Sequence, residues 1–387
     1  RPKWAVGKLM LTTPEMRARF FNEAERVTKP AQFCRSFATG AGADRFKEAV
    51  KKDIGMMLHG SAEHKLLGFP KTTIYWNDWE QTPWSSKHVK LFCFCDNCKS
   101  AFREYAKLPA AADLSDKAIE ANHRKEWKQF RCELDGRVNG LVKQACNELG
   151  LQYMYYDMVR YKDNWPPLKG RIDLAFPGWP GSGQAVGLGP HDGVGSFPVN
   201  QQALDRQMTF LRDEVGMARA TGQMFASGAY GLKKPLQAWP QDAIKGRDGF
   251  INPARLKPQI LRVVASFHGG VDLCNSMDRC AGQSYYIAEA TRAISDFEDL
   301  FYNGKRADHL AASAQIKYPN LLVLVKGDER LILLFNEGGS MLNVELRNKD
   351  VKPGHTATIW GTPGKIATPK SMKVTIPPDD VTLVHIK

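Results

Sequence analysis

Three cysteines stand close enough together in the chain to share one ligand: Cys93, Cys95 and Cys98 form a C-x-C-x-x-C run. A tight turn can aim three such thiolates at one metal ion about 2.3 Å away. A tetrahedral site needs a fourth donor, for which Cys132 and a histidine such as His88 are the candidates. The alternative is a disulfide with one spare buried thiol, favoured if the protein is secreted. The second group that could do chemistry is acidic. Asn77-Asp78-Trp79-Glu80 places two carboxylates among Trp76, Trp79 and Trp84. An indole wall desolvates a carboxyl and raises its pKa, and a neighbouring carboxylate opposes ionisation of both. That combination suits general acid catalysis, with Glu80 as the acid and Asp78 assisting. A third stretch, Met154-Tyr155-Tyr156-Asp157, ends in a carboxylate followed by Arg160. Asp157 is either a second catalytic carboxylate or half of a structural ion pair.

These groups need elements to hold them. From about residue 8 to 310, short apolar strands alternate with longer amphipathic stretches. Strands are expected at 8–12, 32–39, 72–76, 152–158, 172–176, 223–226 and 270–274. Helices are expected at 14–28, 43–57, 97–106, 116–149 and 253–266. Strands alternating with helices predict a parallel α/β sheet, and seven of them fit a (β/α)8 TIM barrel better than a doubly wound sheet. The eighth, the first in order, lies upstream of Arg1, or the barrel is incomplete. Neither G-x-G-x-x-G nor a P-loop occurs. From Ala314 the helices stop and six short strands follow (LLVLV, RLILLF, MLNVELR, TATIWG, MKVTIP, VTLVHI), with turns at Gly338-Gly339 and Pro353-Gly354. The expected organisation is a barrel over 1–310 and a small all-β sandwich over 311–387.

Barrel enzymes carry their chemistry at the C-terminal ends of strands, where Glu80, Asp78 and Asp157 fall. The Gly- and Pro-rich stretch 178–198 follows such an end, as a functional loop would. Trp84, Trp165, Trp179, Tyr230 and Trp239 fall in loops on the same side. Sugar rings present apolar C–H faces to such side chains. Trp79, Tyr156, Arg160 and Asp272 complete the candidate substrate-binding set.

Composition narrows the classes. The 387 residues carry 54 Lys and Arg against 41 Asp and Glu, a net charge of +13, with 43% hydrophobic residues. This is a globular composition, which excludes disordered, collagenous and coiled-coil chains. The longest apolar runs, such as 321–325, are far short of the roughly 20 residues a membrane span needs. The basic residues are scattered rather than blocked, which speaks against nucleic acid; the charge reads as a general surface property, with binding of an acidic glycan as the alternative role. Eight cysteines are too sparse for a disulfide scaffold. The chain opens at Arg1 with no apolar leader, as a processed chain or a fragment would.

Two resemblances follow from the motifs. Trp76-Asn77-Asp78-Trp79-Glu80, then Phe92-Cys93-Phe94-Cys95-Asp96-Asn97-Cys98 and Ala101-Phe102-Arg103, resembles glycoside hydrolases of the large (β/α)8 clan. Within it, the nearest pattern is that of family 42 β-galactosidases and their uncharacterised relatives. Trp127-x-x-Phe130-Arg131 and the terminal β module are similar to the same relatives. The resemblance implies a TIM barrel, Glu80 as acid/base, no cofactor in catalysis, and a structural zinc on the cysteine knuckle. The chain departs from the pattern twice. Asp78 and Trp79 separate Asn77 from Glu80, and Gln223 to Tyr230 offers no nucleophilic carboxylate. The second resemblance is to family 18 chitinases, through Asp78-x-Glu80 and Met154-x-Tyr156-Asp157. In those enzymes the acetamido group of the substrate is the nucleophile, so no carboxylate is needed on the seventh strand. The first Asp of that motif has no counterpart, Tyr75 or Trp76 standing in its place. A secreted, periplasmic or cell-surface hydrolase of poly- or oligosaccharides is the expectation, with a non-catalytic glycan-binding barrel as the alternative.

Overall fold

In the computed structural model, residues 34–62, 67–78, 93–156, 166–176, 201–225, 253–274, 281–367 and 369–387 are described. Contacts divide the chain into two compact units. One comprises Arg1–Phe176 with Phe210–Met217, the other Pro177–Thr209 with Ala218–Lys387.

The first unit is organised by its longest helix. After α1 (Arg35–Thr39) and α2 (Ala43–His59) come β1 (Ile74–Asp78), α3 (Asp96–Tyr105), α4 (Asp116–Asn122), α5 (Arg124–Glu148), β2 (Gln152–Tyr156) and β3 (Leu174–Phe176). Along α5, Trp127, Arg131, Leu134, Val138, Val142 and Ala145 recur at three- and four-residue spacing and are buried. That stripe is the face a core-facing helix presents. Gly136 lets the chain pass close by, since a Cβ there would lie 2.4 Å from the Pro167 carbonyl oxygen. β1, β2 and β3 form a parallel sheet in that order. Ile74 pairs with Gln152 and Asp78 with Tyr156, so the two strands end at the same sheet edge. The Tyr153 hydroxyl donates to Asn139 Oδ1 at 2.5 Å and ties β2 to α5.

Two expectations are corrected here. Residues 32–39 were expected to be a strand, but Cys34 opens a helical turn, its carbonyl accepting from the Ala38 N–H at 3.0 Å. Arg35 within this turn is buried, held by Asp135 rather than by solvent. The single helix expected over 116–149 is broken at His123, which caps both α4 and α5. No proline marks that break.

The second unit contains α6 (Gln201–Phe210, its last residue at the boundary), β4 (Gly222–Phe225), α7 (Leu256–Phe267), β5 (Val271–Cys274), α8 (Ala281–Asp296) and α9 (Glu298–Asn303). β4 and β5 pair in parallel, Gly222 opposite Val271 and Gln223 opposite Asp272. A Cβ on Gly222 would meet Val263 Cγ1 at 2.4 Å, so the glycine allows α7 to lie directly on the strand. Eight strands follow: β6 (Lys305–Arg306), β7 (Ala311–Ala312), β8 (Leu321–Lys326), β9 (Glu329–Asn336), β10 (Leu342–Asn348), β11 (Ala357–Ile359), β12 (Ser371–Ile376) and β13 (Asp380–Ile386). They form a five-stranded sheet ordered β11-β13-β9-β8-β6 and a three-stranded one ordered β12-β10-β7. β10 and β12 alternate buried and exposed, and their inward Val344, Leu346, Val374 and Ile376 share one apolar cluster with Val323, Ile332, Leu334 and Ile386. β9 is buried along nearly its whole length, because it has a second covered face. Arg262 of α7 lies over the Phe335 ring at 4.0 Å on that side. It also donates to Pro319 O at 2.9 Å, Asn320 Oδ1 at 2.5 Å and Glu337 Oε1 at 2.9 Å.

The strands expected at 72–76, 152–158, 172–176, 223–226 and 270–274 are therefore present, with ends shifted by at most two residues, as are all six of the terminal module. The elements expected at 8–12 and 14–28 lie outside the described residues. Among the described residues no helix is long and apolar enough to cross a membrane.

Candidate metal centre

The cysteine knuckle is completed by Cys34. The sulfurs of Cys34, Cys93, Cys95 and Cys98 all lie within 4.8 Å of one another. Cys34 Sγ is 3.4 Å from Cys95 Sγ and 3.5 Å from Cys98 Sγ. Four sulfurs about 2.3 Å from a common centre would stand about 3.8 Å apart in a tetrahedron, so separations of no more than 4.8 Å are compatible with one shared ion. All four cysteines are free thiols. Cys132, the expected fourth donor, is also free and buried but is not one of the converging sulfurs; His88 lies outside the described residues.

Local structure explains the convergence. Cys95 is the N-cap of α3, with extended backbone, and Cys98 sits in the helix's first turn. Cys34 holds the same position at the start of α1. Sulfur at a helix start faces unpaired backbone N–H groups and the positive end of the peptide dipoles, which favours thiolate. The surround is aromatic and dry. Phe94 stacks on Trp127 at 5.1 Å, and Phe102 meets the same indole edge-on at 4.8 Å. Phe130, Leu114, Ile119 and Leu134 extend this wall. Cys34, Cys93 and Cys98 are fully buried and only Cys95 is partly exposed, which leaves one side open for a metal to enter.

Charge in such a place must be compensated. Hydrogen bonds from Cys34, Cys93 and Cys95, with a smaller contribution from the positive charge of Arg131, draw the Cys98 thiol far below its ordinary pKa. Hydrogen bonding to its three neighbours, reinforced by burial, pushes the Cys34 thiol far up. Hydrogen bonds from Cys34 and Cys93 lower the Cys95 thiol as well, and four thiolates together would require a cation. The donor set fits a borderline-soft divalent ion, and four sulfurs leave no open coordination position. That is a structural centre rather than a catalytic one. Cys146, also buried and apart from the cluster, is raised to about 12 by burial.

The other sequence-derived site residues fall as follows. Asp78 ends β1 and Tyr156 ends β2, directly opposite each other in parallel register. Asp272 lies in β5, opposite Gln223. Glu80, Asp157, Trp79, Trp84, Arg160, Trp165, Trp179, Tyr230 and Trp239 lie outside the described residues. The sequence analysis missed Cys34 and the buried Arg35, Arg131 and Asp135. Cys34 has no motif partner nearby, since 61 residues separate it from Cys95. The only available signal was Arg131, a cation on the apolar stripe of α5.

No protein-family model and no curated protein matches the chain. Among solved structures it is similar to a GH30 endoxylanase from Clostridium papyrosolvens C71, at 8% identity and a TM-score of 0.38, over 64% of this chain and 58% of that one. It is similar to an α-amylase from Geobacillus thermoleovorans, at 11% identity and a TM-score of 0.42, over 96% and 97% of the two chains. A putative α-galactosidase from Bacteroides fragilis NCTC 9343 gives 10% identity and a TM-score of 0.42, over 88% of this chain and 64% of that one. The chain thus spans less than two thirds of the xylanase and of the α-galactosidase.

Proposed function

We propose that this chain is a glycoside hydrolase built on a (β/α)8 barrel with a terminal β-sandwich, acting on poly- or oligosaccharides and braced by a structural zinc. One observation carries the catalytic part. The parallel register sets Asp78 opposite Tyr156, so the stretches Asp78-x-Glu80 and Tyr156-Asp157 leave β1 and β2 at one sheet edge. In a parallel α/β sheet the carboxyl ends of strands are where ligands bind. Glu80 protonates the leaving oxygen, and Asp78 and Asp157 are the carboxylates that assist. Trp79, Trp84, Tyr156, Arg160 and Trp165 are the candidates for the sugar-binding surround of that acid. The net charge of +13 favours glycans that carry acidic groups. Cys34, Cys93, Cys95 and Cys98 would hold the zinc, which supplies a cross-link and takes no part in the reaction.

A hydrolysis and binding screen over oligosaccharide panels, run on wild type and Glu80→Gln together, tests this. The expected result is cleavage by wild type, with turnover lowered by about two to four orders of magnitude in Glu80→Gln. Glu80→Gln at wild-type turnover removes the assignment of the acid. The absence of a carboxylate from Gln223 to Tyr230 favours a second reading, a glycan-binding barrel without catalysis. Binding by both proteins with cleavage by neither would establish that reading instead.

A further inference from the structure

We propose that Arg131 is a positioning residue of the four-cysteine centre: its buried guanidinium holds Cys98 by an N–H···S hydrogen bond and supplies the counter-charge that a fully coordinated tetrathiolate requires. The inference rests on the reading of Cys34, Cys93, Cys95 and Cys98 as a metal site. A divalent ion bound by four thiolates carries a formal charge of −2, and the aromatic wall of Phe94, Phe102, Trp127 and Phe130 cannot solvate it. The compensation has to come from charged side chains buried alongside. Arg131 is fully buried, and its Nη1 donates to Cys98 Sγ at 3.5 Å. Arg35 follows Cys34 directly and is equally enclosed, its Nε donating to Asp135 Oδ1 at 2.9 Å. Asp135 stands one turn beyond Arg131 on the same helix. Arg35 and Asp135 form an ion pair with each other, and the Arg131 guanidinium is the cation hydrogen-bonded to Cys98 of the cluster. Enclosing two guanidinium groups and a carboxylate in an apolar core is costly, and a core without a charged partner would be filled more cheaply by Leu or Met. The position of the pair explains their presence. Arg35 is fixed to the segment that brings Cys34, and Arg131 reaches the knuckle that brings Cys98, with α5 joining the two. The Trp127-x-x-Phe130-Arg131 motif is accounted for in the same way: the indole and phenyl rings wall the centre and the guanidinium neutralises it.

The test is made on the full chain with zinc and cobalt(II) as probes. Zinc affinity is measured by competition against a chromophoric chelator, and the sulfur-to-cobalt charge-transfer band is recorded for wild type, Arg131→Met and Arg131→Lys. Arg131→Met should bind zinc about 10–100-fold more weakly, the range in which outer-shell partners act. Its cobalt band should move to longer wavelength, because a sulfur relieved of an N–H donor gives up electrons more easily. Arg131→Lys keeps the charge and should stay within about threefold of wild type. Arg131→Met with wild-type affinity and an unmoved band overturns the proposal. Should Arg131→Met fail to fold, Arg131→Lys decides: tenfold or greater loss of zinc from that folded variant also overturns it. A wild-type protein that takes up neither zinc nor cobalt disproves the metal site itself, a result distinct from either of these.

Discussion

Stripping the metal from the four-cysteine centre should destabilise the first unit by an amount the chain geometry sets. Cys34 and Cys95 are 61 residues apart, and their sulfurs meet at 3.4 Å. Holding the ends of a loop that long together costs about 4 kcal/mol of chain entropy. Four thiols in van der Waals contact attract one another weakly, so the metal is the principal source of the compensating energy at that point. Packing of Phe94, Phe102 and Trp127 persists without metal and keeps the unit folded. For a unit near 200 residues, 4 kcal/mol corresponds to a fall in Tm of about 8–16 °C. The assay is a thermal melt of the full chain followed by near-ultraviolet circular dichroism, which reports Trp127 against its stacked neighbours, before and after chelation with metal content checked by mass spectrometry. Cys34→Ser should melt at the chelated temperature and should not respond to chelator. Equal Tm values for the metal-loaded and verified metal-free wild type would refute the loop-closure reasoning.

Three further outcomes are expected. Asp135→Asn leaves Arg35 charged and buried without its carboxylate, and both side chains are at most 4% exposed; a loss of about 3–5 kcal/mol in denaturant unfolding is expected, and a loss under about 1 kcal/mol would contradict it. Arg262→Met in the second unit strands Pro319 O and Asn320 Oδ1 and removes the contact with Phe335. Since Glu337 is half exposed and solvated, the expected cost is about 2–4 kcal/mol, and chemical denaturation of that unit at wild-type midpoint would argue against it. Glu148 accepts hydrogen bonds from Lys51 and Lys47, which hold its carboxyl down at about 2 against an ordinary 4.5. A carboxylate depressed by folding stabilises above its unfolded pKa and loses that contribution as pH falls through the folded value. The stability difference between wild type and Glu148→Gln should therefore be constant above pH 4.5 and shrink between about 4.5 and 2; acid-unfolding curves that run parallel across that window would contradict the pairing.

What the sequence disclosed depended on whether a signal was local. The C-x-C-x-x-C run placed three sulfurs, because a knuckle is made by one turn and one helix start. The fourth, Cys34, is brought in by tertiary packing of α1 against α5, and no spacing rule reaches across 61 residues. Cys132 and a histidine such as His88 were the expected donors, yet helical position decides, and the residue of α5 that hydrogen-bonds a sulfur of the cluster is Arg131. The terminal strands were legible for the opposite reason. β10 and β12 alternate strictly, and β9 runs as unbroken apolar residues where two faces are covered. Residues 32–39 failed because their apolar pairs, Phe33-Cys34 and Phe37-Ala38, recur at helical spacing, and the polar Arg35 between them meets Asp135 rather than water.

The metal centre and the acidic strand end bear on one another through the chain itself. β1 pairs in parallel with β2 up to Asp78 opposite Tyr156, and Cys93 is the first sulfur of the knuckle. Only residues 79–92 lie between, and they include Glu80, Trp79 and Trp84. In general, a segment held at both ends has less conformational entropy to lose on binding than one held at a single end. A catalytic acid must be held to within a fraction of an ångström to be effective. On the proposed reading, a zinc on the four sulfurs would hold the chain at Cys93, directly downstream of that segment. It would then serve the proposed hydrolase by holding the chain in place and not by taking part in the reaction.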